Sequence, residues 1–506
     1  MSRAAPLLLS LLLMSGTQSF YAAQETHDHP VPEVLGSVTF PISCTAEVQG
    51  DFNRSVALLH SFAYAAALNA FQAVAERDPK CAMAYWGVAM SGYHQLWEPA
   101  ISADGAARAQ RELSLAMSAG AVTDRERGFL NAANAIFKDA DTVPIATRAG
   151  AYEKAMAELA ARYPADVEVQ TFYALALLAN ASPSDKTHAR QKHAADILEA
   201  LFKKYPQHPA IPHYLIHAYD NAELAERGLP AARAYAQVAP SAPHALHMPS
   251  HIFTRLGLWE DSIASNTAAR TAAHRAGDIG EELHAMDYLV YAQLQLGRDE
   301  DAAQIVGELK KMESLHTADF KVGYAATVMP IRYALERGKW AEAVQLPVPE
   351  SAPPHVRAIA IWAQSIGNAH MEKAKEASGA VAQLQQIEDD LQGKGNGYWA
   401  TQVRVLKREA MAWVAFANHD LDKATSTMRQ AADEEDAVEK LPVTPGPVIP
   451  AREQLGELLL EQGKPALAVE EFNIDLRNSP NRRRGRFGLN EATKKVESNH
   501  RDDRAL

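Results

Sequence analysis

The chain has 506 residues, a formal net charge of −12 at pH 7 and 47% hydrophobic residues, with a pI of about 5.9. Acidic and basic residues are mixed along it, whereas a nucleic-acid-binding protein needs a basic stripe to bind phosphates. We therefore expect no nucleic-acid partner. The one basic cluster, Arg482–Arg486, is short, and we interpret it as part of a solvated terminal helix rather than as an anion site.

The N-terminus has the pattern of a signal peptide over residues 1–23. Arg3 provides the charged start, residues 7–14 form a short apolar core, and small residues follow it. This apolar run is far shorter than the ~20 residues that a membrane-spanning helix needs, and no later stretch forms a transmembrane segment. We predict a periplasmic or secreted protein, cleaved between Ser19 and Ala23, with an N-terminal extension over 24–46.

Cys44 and Cys81 are the only two cysteines. Export would place them in an oxidising compartment, where disulfides form and persist. We therefore predict a disulfide between them, which would hold the N-terminal extension against the first helices. Two free structural thiols are the alternative.

A helical pattern repeats along the chain with a period of 34 residues. Apolar helical segments end at Pro79, Pro164 and Pro206, and Pro240 follows Pro206 by 34 residues. This is the period of the tetratricopeptide repeat (TPR), whose helical hairpins bury their apolar stripes against one another. The predicted fold is all-α, a TPR-like right-handed superhelix of roughly seven to nine hairpins. We expect the solenoid over 47–441, a Pro-rich linker over 442–450, and a C-terminal TPR with a capping helix over 451–506.

Four blocks of the sequence resemble a family of exported bacterial TPR proteins. They are FPISC at 40–44, the stretch from LLHSFAY to AYWGVAM at 58–90, PHALHMPSHIFTRLGLWEDSIASN at 243–266, and the stretch from PVTPGPVIP to ALAVEEF at 442–472. The likeness covers most of the mature chain, and it implies a TPR fold and export but no particular activity. By resemblance to TPR proteins, repeat positions 2, 5 and 9 line the concave groove, whereas positions 8, 20 and 27 pack between helices.

Histidines occupy matching positions in two consecutive repeats. His213 and His217 are four residues apart, and adding 34 to each number gives His247 and His251. His244 lies three residues before His247, so three imidazoles can share one face of a continuous helix. Nineteen histidines spread evenly over 506 residues would place only one or two in this stretch. The register places these imidazoles on the face that lines the groove.

Pro249 lies between His247 and His251 and removes a backbone hydrogen bond from the helix. We therefore expect the helix to kink or restart at this proline. A kink would aim the imidazoles inward. A restart would instead leave His244 and His247 before the main helix and weaken the argument that one face carries all three.

This pattern predicts a transition-metal site, because an i, i+4 histidine pair is a bidentate clamp and neutral imidazole suits zinc, copper or iron. The set fits one ion with an open position, or two ions. The expected ligands are His213, His217, His247, His251 and His244. Additional ligands, or partners that orient the imidazoles, are expected among His284, Asp287, Asp220, His60 and His94, of which the last two are also 34 residues apart.

The predicted function is that of an exported TPR solenoid with a metal site on its concave face, acting as a metal-dependent hydrolase or oxidase. The helix-borne sequences HYLIH and HMPSH lack the glutamate of zinc proteases, so a protease is not indicated. One alternative is a metal-free module that binds a small molecule or a peptide in the groove, with histidines as hydrogen-bonding contacts. The other is a scaffold in the cell envelope.

Overall fold

Ala- and Leu-rich segments of 34-residue period fold into antiparallel helical hairpins in the computed structural model, which describes residues 33–97, 100–119 and 122–502. The signal peptide predicted at 1–23 lies outside the described residues. A short 3-10 helix (Ala46–Val48) precedes the first hairpin. The helices of the N-terminal half are α1 (Gln49–His60), α2 (Tyr64–Arg77), α3 (Ala82–Met90), α4 (Ala103–Ser118), α5 (Asp124–Phe137), α6 (Ile145–Arg162), α7 (Val167–Ala179), α8 (Ala189–Phe202), α9 (Ala210–Tyr219), α10 (Ala225–Val238), α11 (Pro243–His247) and α12 (Pro249–Arg255).

The C-terminal half continues the same alternation of helix and short turn. Its helices are α13 (Trp259–Ala276), α14 (Ile279–Gln295), α15 (Asp299–Leu309), α16 (Phe320–Glu336), α17 (Trp340–Val344), α18 (Pro354–His370), α19 (Ala374–Gly393), α20 (Gly397–Ala417), α21 (Leu421–Asp436), α22 (Ala451–Glu461), α23 (Pro465–Asn478) and α24 (Arg483–Asp502).

Successive helices pair into hairpins, and each hairpin packs on the next. With α11 and α12 acting together as one broken helix, the described ranges contain eleven hairpins and a last helix. No β-strand occurs within these ranges, so the predicted all-α, TPR-like superhelix is confirmed. The hairpin number exceeds the predicted seven to nine. None of the described helices combines the length and apolarity needed to cross a bilayer.

The turn between α12 and α13 shows why this repeat needs glycine. Gly257 has a φ of +65°, a left-handed conformation that costs energy for residues with a Cβ atom. A Cβ at this position would also lie 2.2 Å from the backbone carbonyl oxygen of Pro480. Glycine is therefore needed here both for the hairpin turn and for the close contact with Pro480 near the C-terminal end of the chain.

The part of the N-terminal extension over residues 34–46 packs against the first hairpins. The Phe40 ring is fully buried and lies 5.0–5.6 Å from the rings of Phe52, Trp86 and Phe129. The sulfurs of Cys44 and Cys81 are 2.06 Å apart, which is bonding distance, so the predicted disulfide is confirmed. It joins the extension to the start of α3.

Residues 437–450, which include the Pro-rich segment, run without a helix between α21 and α22. Lys440 donates to Asp220 at the end of α9, and the backbone carbonyls of Thr444 and Pro447 accept from Tyr288 on α14 and Arg332 on α16. These three helices are all first helices of their hairpins. The segment therefore lies along the surface that the first helices share, and we call it the inner segment.

The last hairpin contacts the middle of the solenoid. Trp259 Nε1 at the start of α13 donates to the backbone carbonyl of Asn481 over 3.1 Å. Arg482 is fully buried, donates to Tyr291 Oη on α14 over 2.9 Å and forms an ion pair with Glu453. The expected solvated basic cluster is therefore wrong for Arg482, because the superhelix curves until its end meets α13 and α14.

Candidate metal centre

Four helices bring six histidines to one place. His213 and His217 lie on α9, and His284 lies on α14. Proline begins α11 and α12 at their first helical positions, where it leaves no donor unsatisfied. The helix therefore restarts at Pro249, and the sequence analysis had expected either a restart or a kink there. The two short helices carry the remaining histidines, His244, His247 and His251.

The six imidazoles form two triads. One ligand nitrogen from each of His213, His217 and His244 lies within 4.8 Å of the other two, and the same is true of His247, His251 and His284. Within the i, i+4 pairs, the Nε2 atoms are 3.1 Å apart for His213 and His217 and 3.0 Å apart for His247 and His251. Nitrogens on one ion at bonds of about 2.0–2.1 Å stand at about this separation.

The two triads are neighbours and form one cluster, which we call the six-histidine cluster. The ring centroids of His217 and His251 are 6.0 Å apart, as are those of His244 and His247. All of these residues except His217 expose 3% or less of their surface. The cluster therefore offers two adjacent three-nitrogen sites in a nearly dry environment.

Hydrogen bonds fix the orientation of four of the rings from outside the cluster. His213 Nδ1 donates to the His60 carbonyl over 2.6 Å and His251 Nδ1 donates to Asp220 over 2.9 Å. His244 Nδ1 lies 3.4 Å from a carboxylate oxygen of Glu281. Because these partners only accept, each Nδ1 carries the proton and each Nε2 keeps a lone pair directed at the cluster.

His247 has its tautomer fixed in the same way by an amide. Its Nδ1 lies 2.7 Å from Asn266 Oδ1, while Asn266 Nδ2 donates to the Ser262 carbonyl over 2.8 Å. That second bond settles which end of the amide faces the imidazole, so His247 Nδ1 is the donor. His247 and His251 therefore direct two Nε2 lone pairs at each other across 3.0 Å.

Burial favours the neutral form of five of the six imidazoles. Desolvation lowers the pKa of His251 to about 4 and holds the pKa values of His213, His217, His247 and His284 well below 6.5, with the neighbouring imidazoles adding to the effect in those four. Neutral imidazole is the form that binds a metal ion. The rings are thus ready to act as ligands at neutral pH without first losing a proton.

Two buried carboxylates next to the cluster stay ionised through their own cations. Burial alone would raise the pKa of Asp220, but Lys440 and Arg255 hold it well below its ordinary value, and Lys321 does the same for Glu281. Lys440 lies 2.8 Å and Arg255 2.9 Å from the Asp220 oxygens. The carboxylates therefore orient imidazoles and do not enter either triad.

Other residues predicted for the site lie outside the six-histidine cluster. His60 bonds Glu168, which also accepts from His208, with both distances at 2.9 Å. His60 thus reaches the cluster only through its backbone carbonyl. His94 stacks on Tyr64 with centroids 4.0 Å apart.

Asp287 has the same repeat position as His213 and His247 but faces elsewhere. Its Oδ1 lies 3.7 Å from Nε of the fully buried Arg332. Burial raises the pKa of Asp287 to about 6 even though Arg332 opposes the shift. On α14 it is His284, three residues earlier, that contributes to a triad.

Sequence reasoning did not find Asn266, Glu281, Tyr288 or Trp97. Tyr288 packs its ring 4.7 Å from His247 and 5.3 Å from His251, and Trp97 lies 5.6 Å from His244. Glu281 and Tyr288 flank His284 at i−3 and i+4 on the same helical face. This spacing relative to His284 was the one signal in the sequence that pointed to Glu281 and Tyr288.

A cavity of about 830 Å³ reaches the cluster at His217 and Asp220. Trp97 and Phe320 are among its apolar lining residues, and Lys440 is among its charged ones. His217 is also the one partly exposed member of the six. The cavity therefore gives a small molecule a route to the histidines.

Solved structures with similarity to the chain include the TPR domain of P58(IPK), with 11% identity over 90% of this chain and 99% of that chain, and a TM-score of 0.20. A second is the APC/C hetero-tetramer Cut9–Hcn1, with 14% identity over 87% of this chain and 95% of that chain, and a TM-score of 0.29. A third is Naa15/Naa10 bound to HypK-THB, with 14% identity over 91% of this chain and 67% of that chain, and a TM-score of 0.25. Scores this low carry no argument about function, and the fold assignment rests on the helices described above. The sequence matches no family model and no curated protein.

Proposed function

We propose that the protein is an exported metalloprotein whose six-histidine cluster holds a pair of copper ions and acts as an oxidase with dioxygen. The observation that carries the proposal is the pair of Nε2 lone pairs of His247 and His251, 3.0 Å apart with no proton between them. Two buried lone pairs in such contact repel each other unless a cation lies between them. A metal ion bound by both nitrogens removes that conflict.

The charge of the ligand set favours copper. The six imidazoles supply no negative charge, so nothing in either triad offsets the repulsion between two ions. Coulomb repulsion scales with the product of the charges, and two singly charged ions repel one quarter as strongly as two doubly charged ions. Cu(I) is the singly charged ion that imidazole binds well, whereas non-haem iron sites use a carboxylate beside two histidines.

The reactivity follows from the same pairing. Copper ions held by the two triads would supply redox chemistry with dioxygen, and three imidazoles would leave a position open on each ion. A substrate that enters through the cavity at His217 would lose two electrons and two protons, and dioxygen would accept both and leave as hydrogen peroxide. Zinc in the same triads would instead activate water for hydrolysis, so the identity of the bound metal separates oxidase from hydrolase.

The alternative of a metal-free peptide-binding module is less well supported by the groove. The inner segment already lies on α9, α14 and α16 through Lys440, Thr444 and Pro447. An extended peptide in a TPR groove would need that same surface. The remaining space is the cavity at His217, which suits a small molecule better than a peptide.

The first experiment is elemental analysis of the exported, untagged protein beside a His247→Ala/His251→Ala variant. We expect two copper ions per chain in the parent protein and no more than one in the variant, because one triad is removed. His316→Ala is the matched control, since His316 is exposed and belongs to neither triad. It should keep both ions.

The proposal would fail if neither protein held metal and if added Cu(I) left the thermal unfolding temperature of the parent unchanged. Two zinc ions per chain, with no oxygen uptake after loading with Cu(I), would make the protein a hydrolase instead. Edman sequencing of the mature N-terminus tests export separately, because cleavage between Ser19 and Ala23 is expected.

A further inference from the structure

A second cavity, of about 170 Å³, lies in the C-terminal half of the solenoid. Its walls combine aromatic and aliphatic side chains with charged ones, and Trp362 among the aromatic residues is fully buried. His355, Glu439 and Lys440 line both this cavity and the one that reaches His217. The aromatic lining residues are Tyr324, His355, Trp362, Tyr398 and Trp399.

Five carboxylates line this cavity, and two of them, Asp436 and Glu439, form ion pairs with arginine or lysine. The other three are Glu409 on α20, Glu435 on α21 and Asp475 on α23. Glu409 and Asp475 each expose 1% of their surface. Oε2 of Glu409 and both carboxylate oxygens of Asp475 are buried without a hydrogen-bond partner. Glu435 accepts from the backbone N–H of Ala451 over 2.7 Å.

The cations around the cavity form ion pairs with other acids. Arg452 pairs with Asp433, Asp436 and Glu471. Lys440 pairs with Asp220, and Arg255 pairs with Asp220 and Glu439. Among the described residues, no ion pair reaches Glu409, Glu435 or Asp475.

Such a cluster is costly without a ligand, because a buried carboxylate needs a cation or a proton. Burial raises the pKa of Glu435 to about 8 and raises the pKa values of Glu409 and Asp475 well above their ordinary range, with neighbouring acids adding to the shift. Three acids held in this way at one cavity are a typical mark of a functional site.

The arrangement points to an organic cation rather than a metal ion. The three carboxylates do not converge as a triad like those found elsewhere in the described chain. Apolar and aromatic walls strip water from a ligand, and a metal ion bound by carboxylates usually keeps some of its water. An alkylammonium group is bound well by carboxylates at one end and by Trp and Tyr faces around its stem.

We propose that this cavity binds a primary alkylamine as its ammonium ion, with Glu409, Glu435 and Asp475 as acceptors and the aromatic side chains around the alkyl stem. The site is distinct from the six-histidine cluster and does not require that a metal be bound there. Because the two cavities share lining residues, an amine held here would lie next to the route that leads to His217.

The test is isothermal titration calorimetry of the metal-free full chain with n-butylamine, with n-butanol as the neutral molecule of the same shape. We expect n-butylamine to bind and n-butanol to bind at least about tenfold more weakly, the factor that one charge-assisted hydrogen bond supplies. Binding should also release protons, seen as a binding enthalpy that changes with the ionisation enthalpy of the buffer.

The variant is Glu409→Gln/Glu435→Gln, which should lose n-butylamine binding by about tenfold or more. Its matched control is Glu434→Gln, because Glu434 is adjacent in sequence and pairs with Arg404 and Arg408 instead of lining the cavity. If the double variant does not fold, Asp475→Asn tests the same prediction from another helix.

Equal binding of n-butylamine and n-butanol, or unchanged n-butylamine binding in both cavity variants, would overturn the proposal. Absence of binding by n-butylamine and by Nα-acetyl-lysine amide at millimolar concentration would do the same. Tighter binding of Nα-acetyl-lysine amide would assign the ammonium group to a peptide lysine, and tighter binding of n-butylamine would assign it to a free amine.

Discussion

At the scale of single residues, the Nδ1 partners decide what the six-histidine cluster can do. An imidazole whose Nδ1 is free can place its proton on either nitrogen, and two such rings satisfy each other. His247 cannot adjust in this way because Asn266 accepts its Nδ1 proton, and His251 cannot because Asp220 does. These two contacts leave no proton for the space between the two Nε2 atoms, and the proposed metal site rests on this.

Asn266→Ala should therefore weaken metal binding without removing a ligand. We expect the affinity for Cu(I) to fall about 10–100-fold, which is typical when a partner that orients a metal ligand is lost. Competition with a chromogenic Cu(I) chelator measures it. Asn473→Ala is the control, because Asn473 donates only to a carbonyl of its own helix, and an equal loss in both variants would contradict the assignment.

The buried acids of the C-terminal half set a pH dependence of stability. Between pH 4.5, the ordinary pKa of glutamate, and about 8, Glu435 keeps a proton in the folded state that it loses on unfolding. The free energy of unfolding should therefore fall as pH rises through this range, by about 1.4 kcal/mol for each unit of pKa difference. Urea denaturation across pH should show a shallower fall for Glu435→Gln, and parallel curves would contradict the assignment.

At the scale of elements, the 34-residue register predicted the histidines that repeat and missed the hydrogen-bond partners that do not. His213, His217, His247 and His251 follow the period and meet in space. Asp287 follows it too but faces Arg332, and α14 contributes His284 to a triad instead. Asn266 comes from a second helix, α13, and nothing in a one-helix periodicity can indicate such a contact.

The disulfide is the element-scale feature that the sequence predicted completely. It joins the N-terminal extension to α3 across a separation of 37 residues. Replacing both cysteines by serine should lower the free energy of unfolding by about 2–4 kcal/mol, mainly through the greater freedom of the unfolded chain. Urea denaturation measures the loss. Metal content should be unchanged, since α9–α14 carry the histidines, and a loss of metal would show that the extension supports the cluster.

At the scale of the whole molecule, the curvature of the solenoid brings distant repeats into contact. Repeat arrays usually contact only their sequence neighbours, and a periodic pattern cannot reveal any other contact. Here Asn481 accepts from Trp259 and the buried Arg482 contacts Tyr291. This is why a basic cluster that looks solvated in the sequence became part of the interior.

The inner segment should also affect how fast a metal ion leaves the six-histidine cluster, as distinct from how tightly it binds. All six histidines belong to residues 213–284, and they precede the inner segment by more than a hundred and fifty residues. Lys440 of the inner segment donates to Asp220, whose carboxylate also accepts from His251. A metal ion bound at the cluster would have to leave past His217, through the cavity whose wall includes Lys440 of the inner segment.

Exchange of the ion should therefore be slow, and breaking the Lys440 contact should speed it. We expect Lys440→Met to release copper to a chelator several-fold faster than the parent protein. Lys310→Met, at an exposed site, should leave the rate unchanged, and equal release rates in all three proteins would mean that the ion leaves by another path. Faster release from Lys440→Met alone would instead show that the inner segment slows the dissociation of the bound metal ion.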